Sequence, residues 1–192
     1  MTPSTCWRRL RLPALVLALL LGVSLAGRAQ PGCPCDGPRC LEDLRGLSGE
    51  QLHELFTRAE IGRPLLGVAR GRLLYLTDPK FPRLKVRLAN MVWRGKAVQE
   101  DGYFTNRWIG NVNWIDSHWA IGPSWVDGRP AVVMEYAPGT PLFEPMHDEI
   151  REIAPGLYMG PVYERFPCVK FRGYVGLQLE ACEPRKGFRP CR

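Results

Sequence analysis

The chain has 192 residues, 45% of them hydrophobic and 23% charged, with 26 Lys and Arg against 19 Asp and Glu and a formal net charge of +7. Four of the arginines, Arg8, Arg9, Arg11 and Arg28, precede Gln30 where no acidic residue falls, so the remainder holds 22 basic and 19 acidic side chains, a net +3. With so small an excess and no dense Lys/Arg block, the composition argues against nucleic-acid binding, and the 163 residues after Ala29 suit one domain with a sizeable core better than two.

Residues 1–29 read as a signal peptide. Arginines come first, an apolar run follows from Leu12 to about Ala26, and the small residues Gly27 and Ala29 close it. The run is shorter than the roughly 20 residues a spanning helix needs. Cleavage is expected after Ala29, with a secreted, periplasmic or extracellular destination. Nothing later is long and apolar enough to be a transmembrane segment.

Residues 30–46 form a turn-rich leader, PGCPCDGPRC and its continuation. Six cysteines remain after the signal: Cys33, Cys35, Cys40, Cys168, Cys182 and Cys191. An even number in an exported chain predicts a disulfide framework. Three lie toward each end, which favours bridges pinning the leader to the C-terminal segment, with pairing inside each segment left open. C-P-C-x4-C lacks the two-residue spacer of zinc pairs and has no nearby His, so no metal or other cofactor is expected.

From residue 47 to 182 the chain reads as a helix followed by strands, with residues 183–192 as a C-terminal tail. Ser48 and Gln51 make a capping box, and Leu52, Leu55 and Phe56 give one apolar stripe ending near Ala59 to Gly62. Short runs rich in Val, Ile, Trp and Tyr then follow: GRLLYLTD, ANMVWRGKAV, YFTNRWIG, NVNWIDSHWAI, PSWVDG, RPAVVMEY, EIREIAPG, LYMGPVYERF and YVGLQLEACE. Tight signals such as Asp127-Gly128 and Pro155-Gly156 join them, which predicts antiparallel neighbours in up-and-down order. With no second helix to cover a sheet face, closure is the economical solution. The fold class predicted is mainly β: one up-and-down antiparallel β-barrel of about eight strands, disulfide-stapled, with one short N-terminal helix. Period-two alternation points Met91, Trp93, Gly95 and Ala97 inward and Arg94 and Lys96 outward; it points Val175, Leu177, Leu179 and Ala181 inward as well.

A short helix, then GVARGRLLYL, VWRGK, the hairpin WVDGRPAVVMEY and the stretch DEIREIAPGLYMG ahead of an aliphatic last strand resemble the calycin-like barrels, which include lipocalins and fatty-acid-binding proteins. The resemblance runs from about Gly62 to Glu180 and is greatest to uncharacterised bacterial and fungal domains with a Gly-x-Trp-x-Gly opening and a later D-x-x-R. Here Val68-Ala69-Arg70 stands between Gly67 and Gly71, so the opening tryptophan is absent. The resemblance implies a barrel with an internal pocket and brings no established activity.

The most charged stretch is MHDEIRE, Met146 to Glu152. On a regular strand His147, Glu149 and Arg151 share one face and Asp148 and Ile150 the other, so Asp148 cannot pair with Arg151. One reading makes Arg151 an inward cation for a carboxylate ligand, with Glu149 beside it. The other makes the stretch a ladder of solvated ion pairs. Trp93, Trp108 and Tyr158 are the aromatic candidates for a pocket wall. The expected function is an exported binding protein for a small hydrophobic or amphiphilic, fatty-acid-like molecule. The alternatives are an isomerase or hydrolase on the same barrel using His147 and Arg151, and a surface interaction module using Arg94 and Lys96. No catalytic motif is present: there is no HExxH, G-x-S-x-G or P-loop.

Overall fold

The computed structural model describes residues 37–140 and 143–180. The signal segment, the C-terminal tail and Cys33, Cys35, Cys182 and Cys191 lie outside the described residues. Eight strands close into an antiparallel barrel in chain order: β1 (Gly67–Leu76), β2 (Trp93–Val98), β3 (Tyr103–Trp108), β4 (Asn113–Pro123), β5 (Pro130–Tyr136), β6 (Met146–Ala154), β7 (Leu157–Glu164) and β8 (Lys170–Leu179), with β8 returning to pair with β1. Closure gives every strand two hydrogen-bonded neighbours and leaves no open edge. The segment PSWVDG is a turn, not a strand. Ser124 and Arg129 close it by a backbone bond of 2.9 Å, and it carries the chain from β4 to β5.

Helix α1 (Gly49–Arg58) begins as the capping box predicts, with Gln51 N donating to Ser48 Oγ at 3.2 Å and Ser48 N to Gln51 Oε1 at 2.8 Å. It does not enter the barrel. Leu52 and Phe56, with Leu41 and Leu44 from a preceding 3-10 turn, pack on the outer faces of β5, β7 and β8 against Ala131, Leu157, Met159 and Tyr174. Part of the leader therefore belongs to the fold, and Leu41 N is tied to Gln178 Oε1 at 3.0 Å.

Helix α2 (Pro82–Val92) corrects the expectation of a single helix. Ala89 to Val92, which the sequence pattern assigns to the start of a strand, are its last turn. Pro82 at the first helical turn suits a helix start. Asn90 then locks the helix to β1: its Oδ1 accepts from Leu73 N at 2.8 Å and its Nδ2 donates to Leu73 O at 2.9 Å. Leu73 sits where the β1–β8 register shifts, so Asn90 stands in for a strand neighbour there.

The described cysteines, Cys40 and Cys168, carry no disulfide, so the expected stapling is not seen among the described residues. The barrel instead has two apolar cores. The inner one holds Ala69, Phe104, Val132, Met134, Ile150 and Leu177, and the outer one lies beneath α1. Val175, Leu177 and Leu179 share the inner core as alternation predicts.

In β2 alternation fails, for a physical reason. Trp93 faces Trp108 and Gly95 faces Arg107, so Arg94 is one residue too many on its strand, a bulge. Gly95 permits it: its φ is +136°, and a Cβ there would come within 2.0 Å of Ala69 O. Beyond the bulge the faces exchange. Lys96 and Val98 now point inward with Trp93, while Met91 lies exposed on α2.

Candidate functional site: a pocket above a buried ion pair

The barrel interior is filled with side chains at one end and open at the other. The open part is a pocket of about 440 Å³ with walls from Leu73, Val92, Trp93, Trp108, Phe143 and Val175. Its size falls within the range of small-molecule sites, roughly 300 to 1,000 Å³. Asn106, Tyr136 and Asp148 are its buried polar lining. Behind them lies Lys96, only 1% exposed.

Lys96 has three polar neighbours. Its Nζ is 2.7 Å from Tyr136 Oη, 3.1 Å from Asp148 Oδ2 and 3.3 Å from Asn106 Oδ1. Tyr136 in turn donates to Asp148 Oδ2 at 3.1 Å. The rings of Phe104 and Tyr136 stand 4.4 Å and 4.9 Å from the ammonium and add cation–π attraction. Burial lowers the Lys96 pKa, with Asp148 acting against it, and burial next to Asp148 raises that of Tyr136. The charges of Lys96 and Asp148 compensate each other, so the floor is polar without a net charge.

Asn106 is oriented without ambiguity. Its Oδ1 receives Trp93 Nε1 at 3.0 Å and Lys96 Nζ, and neither nitrogen can accept. The Nδ2 must then point the other way. Among the described residues, Asn106 Nδ2 and Trp108 Nε1 are buried donors on pocket-lining side chains that have no hydrogen-bond partner. Buried donors are nearly always paired, and an unpaired one costs about 1 to 3 kcal/mol. Two of them in an apolar pocket call for an acceptor atom.

The charged stretch on β6 is divided between the two faces. Asp148 and Ile150 point inward, and His147, Glu149 and Arg151 point outward, as alternation requires. Neither reading of Arg151 describes its surroundings. It is fully buried, yet outside the barrel beneath α1 and the β4–β5 turn. All five of its donors are engaged: Nη1 and Nη2 grip Asp127 at 2.9 and 2.7 Å, Nε reaches Pro130 O at 3.0 Å, and the remaining two hydrogens reach Phe56 O and Arg129 O at 3.1 Å each. This fork holds Asp127 well below the usual carboxylate range. Phe56 stacks on the guanidinium at 4.4 Å. No donor is left for a ligand.

Glu149 accepts from Trp125 N at 2.7 Å and from Ser124 Oγ, and His147 bridges it to Glu135 at 3.2 and 3.3 Å. Trp125 lies flat on His147, with centroids 3.8 Å apart and planes within 3°. These groups fasten the turn to the barrel wall, away from the pocket. His147 and Arg151, the pair of the catalytic alternative, are thereby withdrawn from the pocket. Lys96, being interior, is likewise withdrawn from the surface-module reading. Of the sequence candidates, Trp93 and Trp108 reach the pocket, Tyr158 belongs to the filled end of the inner core, and Glu149 and Arg151 lie outside.

Sequence reasoning missed Lys96, Asn106, Tyr136 and Asp148. The glycine inside W-R-G-K was the available signal, because a strand glycine often marks a bulge that moves later residues to the other face. A wider cleft of about 1220 Å³ lies outside the barrel between the start of α1 and α2, but among the described residues it has no buried ion pair and no stranded donor.

The fold and site together define a closed eight-stranded β-barrel with an internal, mostly apolar pocket. No protein-family profile and no curated protein matches the chain. A crystal structure of a protein from Thermomonospora curvata resembles it with a TM-score of 0.51 and 18% identity, covering 72% of this chain and 92% of that one. At that identity the likeness speaks for the fold alone.

Proposed function

We propose that the chain binds a small, largely apolar molecule inside the barrel and grips it through a neutral hydrogen-bond acceptor, such as the carbonyl of a fatty-acyl ester, amide or aldehyde. The observation that carries this reading is the pair of donors, Asn106 Nδ2 and Trp108 Nε1, that have no partner among the described residues, in a mostly apolar pocket whose charged lining residues are paired with one another or with Lys96. A carboxylate head is disfavoured, because Lys96 is already neutralised by Asp148 and the lining residue Arg172 is paired with Glu164 at 3.6 Å, so two carboxylates would stand beside the ligand's own. The N-terminal pattern from Arg8 to Ala29 supports export, so the ligand would be met outside the cytoplasm. The up-and-down strand order and the interior pocket support a calycin-like relation.

Titration with a medium-chain methyl ester, the matching fatty acid and the matching alcohol, followed by tryptophan fluorescence, tests the reading. The ester should bind more tightly than the ionised acid at neutral pH. Tighter binding of the ionised acid would refute the neutral-acceptor reading, and failure of all three to bind would refute an acyl-chain pocket.

A further inference from the structure

Helix α2 has two apolar sides, and only one is covered. Its half-buried side, with Val86, Ala89 and Asn90, faces the barrel, and Ala89 and Val92 line the pocket. On the opposite side Phe81, Leu84, Leu88 and Met91 are 74%, 53%, 53% and 58% exposed. At 100° per residue Leu84, Leu88 and Met91 fall within an arc of about 60°, a continuous stripe, and Phe81 stands exposed at the helix's N-terminal cap. Arg83 and Arg87 border it on one side and Lys85 on the other, all exposed. Between Asp78 and Glu100 there are six basic residues and no acidic one; Lys96 is interior, and of the exposed five, Lys80, Arg83, Lys85, Arg87 and Arg94, Lys85 is bonded to Asp78 at 2.5 Å.

The charge continues past the helix. Arg94 lies two residues beyond α2, and with Arg72 and Arg107 it lines a shallow cleft in which Glu180 is bonded to Arg107 at 2.5 Å. Arg72 joins this cleft to α2 through Asn90 O at 3.3 Å.

We infer that the exposed face of α2 docks on an anionic phospholipid surface, with the apolar stripe entering the acyl boundary and the flanking arginines meeting headgroup phosphates. An apolar stripe bordered by cations is the pattern of a helix that lies in a membrane interface. A second copy of this chain is a poor occupant, because a two-fold contact through this face would set Arg83, Arg87 and Lys85 against their own equivalents. A nucleic acid is a poor one too, because the centre of the patch is apolar rather than basic. The placement also sets the pocket wall beside the membrane. The inference goes beyond the proposed ligand and does not depend on it, since the test needs no ligand.

The chain from Gln30 onward, which retains every described residue, is sedimented with vesicles of phosphatidylcholine alone or mixed with phosphatidylglycerol. Binding to the mixed vesicles is expected, with little to phosphatidylcholine alone and a steep loss on adding salt. Arg83→Gln with Arg87→Gln should weaken it by about 30-fold. Leu84→Ser with Leu88→Ser should weaken it by about tenfold or more. All four side chains are exposed, so circular dichroism and melting should match the parent for both variants. Absence of binding to the mixed vesicles, or undiminished binding by either variant, would overturn the inference. So would light scattering that shows a dimer of the parent that Leu84→Ser with Leu88→Ser dissolves, or capture of an acidic protein in place of vesicles.

Discussion

Lys96 and Arg151 are both buried cations paired with a carboxylate, and they lie on opposite sides of the same sheet. Arg151 has five donors and five acceptors, so nothing in its surroundings is left over. Lys96 is neutralised by Asp148, but the group that orients beside it, Asn106, keeps a donor without a partner, and so does Trp108. The difference separates a cation that holds a fold together from one that helps furnish a site. Arg151 ties the end of α1, the β4–β5 turn and β6 into one unit. Lys96 fixes the direction of the polar groups that a ligand would meet.

The largest expected effect is on the outer side. Arg151→Met keeps the aliphatic stem and removes the fork, leaving three backbone carbonyls without their donor and Asp127 with Arg129 alone. Urea unfolding should show a loss of about 3 to 5 kcal/mol, while the affinity of the folded fraction for an ester ligand stays unchanged. A stability change within about 1 kcal/mol would place Arg151 among ordinary surface ion pairs and dissolve the comparison.

On the inner side Lys96→Met strands Asp148 and should cost about 3 kcal/mol or more. The double variant Lys96→Met, Asp148→Leu should recover most of that loss, since a buried pair is often no more stable than a well-packed apolar replacement. A double variant as unstable as the sum of the singles would mean that the two residues do not act as a pair.

Acid should distinguish the two sides next. The folded pKa of Asp127 lies below its ordinary value of 3.8, chiefly through Arg151. The clamp is therefore at full strength above about pH 4 and is lost as pH falls toward the folded value. Wild type should lose stability faster than Arg151→Met between about pH 4 and pH 2. Parallel curves would show that Asp127 is not the clamp's acid-sensitive partner.

Much of the barrel was legible in the chain. Eight short strands, their turns at Asp127-Gly128 and Pro155-Gly156, the α1 cap at Ser48 and the inward set Val175, Leu177 and Leu179 follow from local pattern. The site was legible only in its aromatics, Trp93 and Trp108. Its polar floor was hidden because one extra residue at Arg94 exchanges the faces of β2, and strict alternation then carries Lys96 to the wrong side. Arg151 was misread for a different reason. Alternation grouped it correctly with His147 and Glu149, but the ligand-anchor reading turned that face inward; which side it takes and which elements cover it is tertiary information, set by α1 and the Ser124–Arg129 turn folding over β6. Helix α2 was missed because its inner and outer apolar residues together blur the single stripe by which a surface helix is recognised.

The smallest substitution bears most closely on the site. Trp108→Phe keeps the ring and removes one donor, so stability should change by less than about 1 kcal/mol while ester affinity falls about 5- to 12-fold. The indole N–H resonance of Trp108, assigned by its absence in Trp108→Phe, reports the same bond directly in a nitrogen-15 spectrum. Saturating the protein with the methyl ester should move that resonance downfield, as expected for a donor that gains an acceptor. A Trp108 resonance that stays in place while the ester demonstrably binds would contradict the anchoring of ligands at Asn106 and Trp108.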